Sequence, residues 1–310
     1  MRALVARRLD GPDALELIDT AIPEPGEGQV RIKVAAAAVN PVDVAATDGT
    51  LLQYGITAPR TQFGLGWDVA GKIDATGPGA DLPVGTAVVG LAALLGRALK
   101  THAEYVVLDA DEVAPAPANL DPVAASTFVL NALTAQLSLD ALGLTAGQTL
   151  LVTGAAGGVG GYAVELGKHY GLTVVAAAGQ DDEELVHELG AAHFVPRSAD
   201  LTTKVRELLP SGVDGVVDAA VLGVGAQESV RDRGVHAHVV AGPPPTPLRG
   251  ITVHPIFAHA SRAALSELVR LSEAGVISTR VAGTYPLDDA VTAYKRLAGG
   301  GIRGRLVLTP

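Results

Sequence analysis

The sequence predicts an α/β protein made of two parts: a small β-rich domain and a doubly wound parallel-sheet domain. Short strand-like segments separated by turn signals fill residues 1–115, and strands alternate with helices from residue 150 onward. A glycine-rich turn joins the first strand and helix of that alternating region. The length of 310 residues fits about two domains.

The glycine-rich turn carries the strongest functional signal. Residues 150–152 form a short apolar strand, four glycines crowd into the turn that follows, and residues 159–170 have helical spacing. Glycine lets the backbone turn sharply and lets a pyrophosphate approach without meeting a Cβ atom, while the helix N-terminus attracts the anion. We therefore predict a dinucleotide site. The predicted cofactor-binding residues are Thr134, Thr153, Gly154, Ala156, Gly157, Gly158, Val159, Gly160, Ala178, Gly179, Gln180, Arg197, Ala241 and Gly242.

The end of the second strand of this region indicates which cofactor is bound. An NAD site usually places Asp or Glu there, about 20 residues past the glycines, to bind the ribose hydroxyls. This chain has Ala178 and Gly179 instead, which leaves room for a 2′-phosphate, and Arg197 follows the third strand. Asp181 and Asp182 lie close by and oppose a phosphate. We predict NADPH as the cofactor, with NADH as the alternative.

Composition excludes several classes of protein. The chain has no cysteine, which excludes disulfides, thiolate catalysis and zinc sites that need sulfur. The net charge is −10 and no basic patch stands out, which argues against nucleic-acid and membrane-surface partners. No signal-peptide pattern and no apolar run of about 18 residues is evident. We expect a cytoplasmic protein with a small-molecule substrate.

Periodicity and turn residues predict the secondary structure. Strands are predicted at 3–8, 15–18, 29–37, 69–76, 87–90, 103–107, 149–153, 173–177, 192–195, 213–218, 235–240, 280–285 and 305–309. Helices are predicted at 123–127, 130–142, 159–170, 181–189, 200–209, 223–231, 261–274 and 288–298. Asp121 and Pro122 are a typical N-cap and first helical residue.

Several motifs together resemble those of one family. They are Asn40-Pro41-Val42-Asp43, Gly66-Trp67-Asp68-Val69-Ala70-Gly71, Thr134-Ala135, Gly154-Ala155-Ala156-Gly157-Gly158-Val159-Gly160, Leu189-Gly190-Ala191 and Gly304-Arg305-Leu306-Val307-Leu308. The chain resembles, over essentially its whole length, zinc-independent medium-chain dehydrogenases/reductases of the quinone oxidoreductase (zeta-crystallin-like) branch.

The resemblance implies a domain organisation and an assembly. A GroES-like catalytic domain is expected at 1–118 and 275–310, and a Rossmann nucleotide-binding domain at 119–274, with the active site in the cleft between them. A homodimer or homotetramer is also implied.

The resemblance further implies hydride transfer without a metal. Zinc-dependent relatives place their catalytic ligands at positions that correspond here to Asn40, to Trp67 and to the vicinity of Leu130 or Asn131. None is a good zinc ligand. A quinone or an α,β-unsaturated carbonyl accepts a hydride without a metal because its conjugated oxygen takes up the charge. The expected tyrosine and arginine after the Asn-Pro motif are replaced by Ala45 and Thr47, which puts quinone as the natural substrate in doubt.

The individual site residues each have a structural alternative. Asn40, Asp43 and Tyr54 are the candidate catalytic residues, although Asn40 could be a turn residue, Asp43 could hold the loop and Tyr54 could be a surface residue. Trp67 and Asn131 are candidates for the substrate pocket, with core packing as the alternative.

Other polar residues carry weaker predictions. Thr134 is expected to hydrogen-bond the cofactor, or else its own helix backbone. His236 and His238 share one strand face, but no third metal ligand is evident, so both are interpreted as structural.

Three functions remain open from the sequence. The first is an NADPH-dependent quinone or enone reductase. The second is a pathway-specific enoyl or polyketide-type reductase, favoured by the altered loop after Asp43. The third is a non-catalytic NADPH-binding protein.

Overall fold

A computed structural model describes residues 1–239 and 242–310, which form two compact units. The first unit contains Met1–Leu130, His259–Gly275 and Thr279–Pro310, and the second contains Asn131–Ala258 and Val276–Ser278. Residues 119–130 and 259–274, which were expected in the nucleotide-binding domain, belong to the first unit, and residues 276–278, which were expected in the GroES-like domain, belong to the second.

The strands of the described residues are, in chain order, β1 Arg2–Ala6, β2 Leu15–Asp19, β3 Gln29–Val39, β4 Phe63–Gly64, β5 Asp68–Thr76, β6 Ala87–Leu91, β7 Tyr105–Asp109, β8 Val113–Pro115, β9 Thr149–Thr153, β10 Thr173–Ala178, β11 His193–Pro196, β12 Val213–Asp218, β13 Val230–Val239, β14 Thr252–Ile256, β15 Val281–Pro286 and β16 Arg305–Thr309. The α-helices are α1 Pro41–Thr47, α2 Thr50–Gln53, α3 Pro122–Ala125, α4 Val129–Leu142, α5 Gly158–His169, α6 Glu183–Leu189, α7 Leu201–Leu208, α8 Val224–Gln227, α9 Arg262–Glu273 and α10 Ala290–Ala298.

The first unit is built around the long strand β3. Val30, Ile32 and Val34 alternate along it and are buried, while Lys33 on the other face is exposed. β3 pairs antiparallel with β5, β7 and β16, so one strand joins the N-terminal and C-terminal segments of the unit in a seven-stranded sheet. A three-stranded sheet, in the order β2-β1-β4, completes the β structure of this unit.

The second unit is a six-stranded parallel sheet in the order β11-β10-β9-β12-β13-β14. Counted from β9, this order is 3-2-1-4-5-6, the order of a doubly wound nucleotide-binding fold. The strand order reverses between β9 and β12, and ligands of such sheets bind at this switch point, beyond the carboxyl ends of the strands. The α/β fold class predicted from the sequence is confirmed.

Two predicted elements near the end of this sheet are wrong. The helix predicted at 223–231 is the short α8, and β13 begins at Val230 rather than at residue 235. Val230 pairs with Val213, and after a bulge Val235 pairs with Gly215, so pairing with β12 extends the strand through a polar stretch. β14 was not predicted; it contains Pro255, which is tolerated because β14 lies at the edge of the sheet.

One helical stretch, Pro122–Leu142, is long and apolar enough to cross a membrane by length and composition. No apolar run of this length was expected from the sequence. Most of this stretch is buried inside the protein, as in the core helix of a folded domain. Asp121 caps its start as predicted, since the carboxylate accepts a hydrogen bond of 2.8 Å from the N–H of Ala124.

Gly66 combines a left-handed backbone conformation with close neighbours, which generates a testable prediction. Its φ is +92°, and an added Cβ would lie 2.2 Å from Thr101 Oγ1. Gly66→Ala should destabilise the protein by about 2 kcal/mol more than Gly79→Ala, because Gly79 also has a positive φ but open space around it. Urea unfolding of both variants measures the difference, and equal midpoints would contradict the predicted clash.

Candidate active site

The carboxylate of Asp43 holds the start of α1 by accepting two hydrogen bonds from backbone N–H groups. The N–H of Asn40 donates to Asp43 Oδ2 at 2.9 Å, and the N–H of Gly66 donates to Asp43 Oδ1 at 2.7 Å. Asp43 is buried, and both of its oxygens are thus occupied by backbone donors. This geometry makes Asp43 a residue that fixes the Asn40 loop against the Gly66 turn, rather than a base poised to take a proton.

Asp68, directly after Trp67, is the most deeply buried carboxylate of this region. Asn40 Nδ2 donates to Asp68 Oδ2 at 2.6 Å, and the N–H of Leu130 donates to Oδ1 at 2.5 Å. Burial raises the pKa of Asp68 to about 6, although these two hydrogen bonds lower it. Asn40, a predicted catalytic residue, is therefore oriented by a partner that the sequence analysis did not single out.

Lys100 places a cation beside Trp67. Its Nζ lies 3.7 Å from the centroid of the Trp67 ring, a close cation–π contact, and the residue is 3% exposed. Burial lowers the pKa of Lys100 to about 7, while the charges of Asp43 and Asp68 raise it. A lysine in this condition exchanges protons near neutral pH, so it is a candidate acid that the sequence analysis missed.

His102 is a further buried polar residue, and the charges of Asp43 and Lys100 act on its ring. Its Nε2 lies 3.0 Å from the carbonyl of Ala38, which accepts only, so Nε2 carries the proton and Nδ1 accepts from Tyr294 Oη at 2.9 Å. Burial lowers the pKa of His102 and raises that of Tyr294. These contacts give His102 a structural role.

In the predicted dinucleotide-binding turn of the second unit, the start of α5 lies close against the backbone of Gly154. Gly154 has a φ of +61°, and the N–H of Gly157 donates to its carbonyl at 2.9 Å. A Cβ on Gly160 would lie 2.2 Å from that same carbonyl oxygen, so α5 can begin here only with glycine at 160. The first N–H groups of α5 have no preceding turn to accept them and are available to an anion.

The remaining turn residues take different positions. Thr153 Oγ1 donates to Asp218 Oδ1 at 2.7 Å and accepts from the N–H of Ala220 at 3.0 Å, so this side chain braces the neighbouring strand. Ala156 is buried, Val159 is half-buried and Gly158 begins α5.

The carboxyl end of β10 is surrounded by polar side chains, some buried and some exposed. Ala178 is buried, the N–H of Gly179 donates to Asp182 Oδ2 at 3.1 Å, and Gln180 is exposed. Arg197 is exposed, and its Nε lies 3.9 Å from the position of a Cβ built on Gly179. The guanidinium of Arg197 therefore lies next to the end of β10. The carboxylate of Asp182 is hydrogen-bonded to the backbone N–H of Gly179.

The other predicted site residues lie on several different elements. Tyr54 follows α2 and is 46% exposed. Asn131 and Thr134 are buried on α4, where the carbonyl of Thr134 accepts a hydrogen bond from Ser138 Oγ. Gly242 is half-buried, and Ala241 lies outside the described residues.

Two family models and several known proteins are similar to this chain. Residues 26–118 match the model of the alcohol dehydrogenase GroES-like domain, and residues 189–308 match that of a zinc-binding dehydrogenase. An NADPH-dependent alkenal/one oxidoreductase from Arabidopsis thaliana is 32% identical over 323 residues, covering 100% of this chain and 80% of the relative. The human quinone oxidoreductase is 27% identical over 99% of this chain and 97% of its own length.

Solved structures of related proteins have the same fold over the whole length of this chain. An NAD-dependent alcohol dehydrogenase superposes with a TM-score of 0.88 at 30% identity, covering 100% of both chains. A mycobacterial protein in complex with NADPH superposes with a TM-score of 0.85 at 26% identity, also covering 100% of both chains.

The fold and the glycine turn define a nucleotide-dependent oxidoreductase. The chain belongs to the medium-chain dehydrogenase/reductase family, among relatives of the quinone oxidoreductase type, as the sequence motifs indicated.

Gly160 provides the sharpest test of the turn. Gly160→Ala should weaken NADPH binding about 10-fold or more, because the added Cβ pushes α5 away from the Gly154 carbonyl and misaligns its N–H groups. Gly225→Ala is the matched control, since nothing lies within 4 Å of its Cβ. Calorimetry measures both, and unchanged affinity in Gly160→Ala would contradict the assignment.

Lys100 should make stability depend on pH. Its pKa is lowered from 10.5 to about 7 in the folded protein, so between these values the unfolded chain binds more protons and stability rises with pH. Lys100→Met should therefore be more stable than the wild type at pH 7, and this advantage should shrink as the pH rises toward 10.5. Thermal unfolding across this range measures it, with Lys72→Met, an exposed lysine, as the control. An advantage that is constant with pH would contradict a buried, titrating Lys100.

Proposed function

We propose that this protein is an NADPH-dependent reductase that transfers a hydride to an α,β-unsaturated carbonyl or a quinone without zinc. The observation that carries the proposal is the Gly154–Gly160 turn at the switch point of a 3-2-1-4-5-6 sheet, which suits a dinucleotide. The relatives named alkenal/one oxidoreductase and quinone oxidoreductase support the substrate class.

The donor set supports chemistry without zinc. The zinc-binding dehydrogenase description implies a metal, but the residues at the corresponding positions do not fit one. Asn40 uses its amide to donate to Asp68, Trp67 offers an indole, and the third position falls on Leu130 or Asn131. We therefore derive no step through zinc.

Lys100 supplies the positive charge that a metal-free reduction needs. NADPH held at the Gly154–Gly160 turn would supply a hydride for the β-carbon of an enone, and the electron pair of the enone double bond would shift onto its carbonyl oxygen. Lys100 then provides an ammonium group for the developing enolate and a proton to complete the reduction, which a pKa of about 7 permits. Trp67 holds the ammonium in place through its ring, and Asp43 and Asp68 keep it from being deprotonated entirely.

The cofactor preference rests on the end of β10. No carboxylate occupies Ala178 or Gly179, and Asp182 is hydrogen-bonded to the Gly179 N–H rather than turned outward. Arg197 lies beside this position and offers a planar group suited to a phosphate. We propose NADPH over NADH on this arrangement.

A kinetic screen tests the proposed activity. We expect NADPH oxidation with short enones, enals or quinones, with a kcat that falls as the pH rises above about 7, because Lys100 must be protonated. Lys100→Met should lower kcat about 100-fold and abolish this pH dependence, whereas Lys72→Met should retain both. The absence of turnover with all three substrate classes would refute this reductase. Two readings would then be left, a pathway-specific enoyl reductase and a non-catalytic nucleotide-binding protein, and assays with enoyl thioesters would separate them.

Arg197 tests the cofactor preference. Arg197→Ala should raise KM for NADPH about 10-fold and leave KM for NADH nearly unchanged, because only NADPH carries the 2′-phosphate. Lys204→Ala, which removes an exposed cation from α7 in the same unit, is the control. Equal losses with both cofactors, or a wild-type preference for NADH, would overturn the assignment.

A further inference from the structure

Three buried side chains meet at the carboxyl ends of β12 and β13. Asp218 ends β12 and lies opposite His238 in the strand register, and His236 lies two residues earlier on the same face of β13. Asp218 and His236 are 0% exposed and His238 is 1% exposed. The third side chain of this cluster, Asp218, lies on the neighbouring strand and was not recognised from the sequence.

The distances suit a shared ion better than hydrogen bonds. His236 Nε2 lies 3.6 Å and His238 Nδ1 lies 3.9 Å from Asp218 Oδ2, and the three candidate ligand atoms are within 4.8 Å of one another. These separations are too long for good hydrogen bonds. Two ligands bound tetrahedrally to zinc at about 2.1 Å lie about 3.4 Å apart, so a small contraction would complete the site.

The histidine rings have unmet polar groups. All four ring nitrogens of His236 and His238 are buried, and none makes a hydrogen bond of good geometry within residues 1–239 and 242–310. The backbone of Gly242 approaches the ring of His238, whereas the ring of His236 has no such backbone neighbour in the described part of the chain. Buried polar atoms without partners are costly and rare in native proteins. An ion bound by one nitrogen of each ring would satisfy a group on each.

Asp218 is held in a fixed orientation by its surroundings. Its Oδ1 accepts hydrogen bonds from Thr153 Oγ1 at 2.7 Å and from the N–H of Leu222 at 3.0 Å, which use both lone pairs of that oxygen. Oδ2 accepts from the N–H of Gly223 at 2.8 Å and keeps a second lone pair. The oxygen with spare capacity is the one that both histidines approach, and a carboxylate oriented in this way is typical of metal ligands.

We propose that Asp218, His236 and His238 bind one divalent transition-metal ion, with zinc as the best match. Two imidazoles and one carboxylate suit zinc and its neighbours, whereas magnesium and calcium prefer sets of oxygen ligands. Within the described residues this is the one group of three such side chains close enough to share an ion. The ion would tie β13 to β12 at the switch point and has no part in the proposed hydride transfer.

Metal titration of the chelator-treated full chain, without nucleotide or substrate, tests the proposal. We expect one zinc ion per chain by calorimetry, a zinc-dependent rise in Tm, and intense cobalt(II) visible absorption typical of four-coordinate nitrogen and oxygen ligation. His236→Leu and His238→Leu should each weaken zinc binding about 100-fold or more and abolish the cobalt bands. His254→Leu, on the adjacent strand and outside the cluster, should leave both unchanged.

Other results would overturn the proposal. Failure of the folded wild type to bind zinc or cobalt would mean that other groups, such as trapped water, satisfy the rings. Weak bands of six-coordinate cobalt, or equal affinity in wild type and His238→Leu, would place bound metal elsewhere on the chain. Circular dichroism checks folding, and if a leucine variant unfolds, His238→Gln carries the same expectation. Because the readout is metal binding without cofactor, its failure leaves the reductase proposal intact.

Discussion

The approach of Gly160 to the carbonyl of Gly154 is the contact on which the nucleotide-binding part of the structure depends. It lets α5 start immediately beyond β9, with the first N–H groups of the helix directed at the switch point of the sheet. A side chain at residue 160 would meet backbone, which cannot move without displacing β9 or α5. The same switch point holds Thr153 and Asp218, so the turn and the buried carboxylate are coupled through one hydrogen bond.

The first unit meets a different constraint, because it buries charge. Asp43 and Asp68 are satisfied by backbone and amide donors, and Lys100 lies against an aromatic ring nearby. Burial destabilises the charged forms of Asp68 and Lys100 alike, which brings both pKa values toward neutrality. Ionisable groups with shifted pKa values are concentrated at functional sites, and burying Asp68 and Lys100 in their charged forms lowers the stability of the folded protein.

Structural features that depend on a local sequence pattern could be predicted from the sequence. The glycine run of 154–160, the apolar strands around it and the capped helix at residue 121 follow from spacing and turn chemistry, and they define the fold class. The helix predicted at 223–231 was wrong because pairing with β12 outweighed local helical preference, and β14 was missed because an edge strand tolerates Pro255. Asp68 and Asp218 were missed because strand register brings them to their partners, and Lys100 was missed because it is buried against Trp67 by a segment between strands. Neither strand register nor burial can be deduced from one sequence.

Deuterium-labelled cofactor tests the central claim most directly. NADPH carrying deuterium in both positions at C4 of the nicotinamide should deliver one deuterium to the β-carbon of an enone, with the second hydrogen coming from solvent through Lys100. Mass spectrometry and NMR of the product locate both atoms. Deuterium at the β-carbon is the result that direct hydride transfer requires, whereas a product with only solvent-derived hydrogen at that carbon, or no product at all, would contradict it.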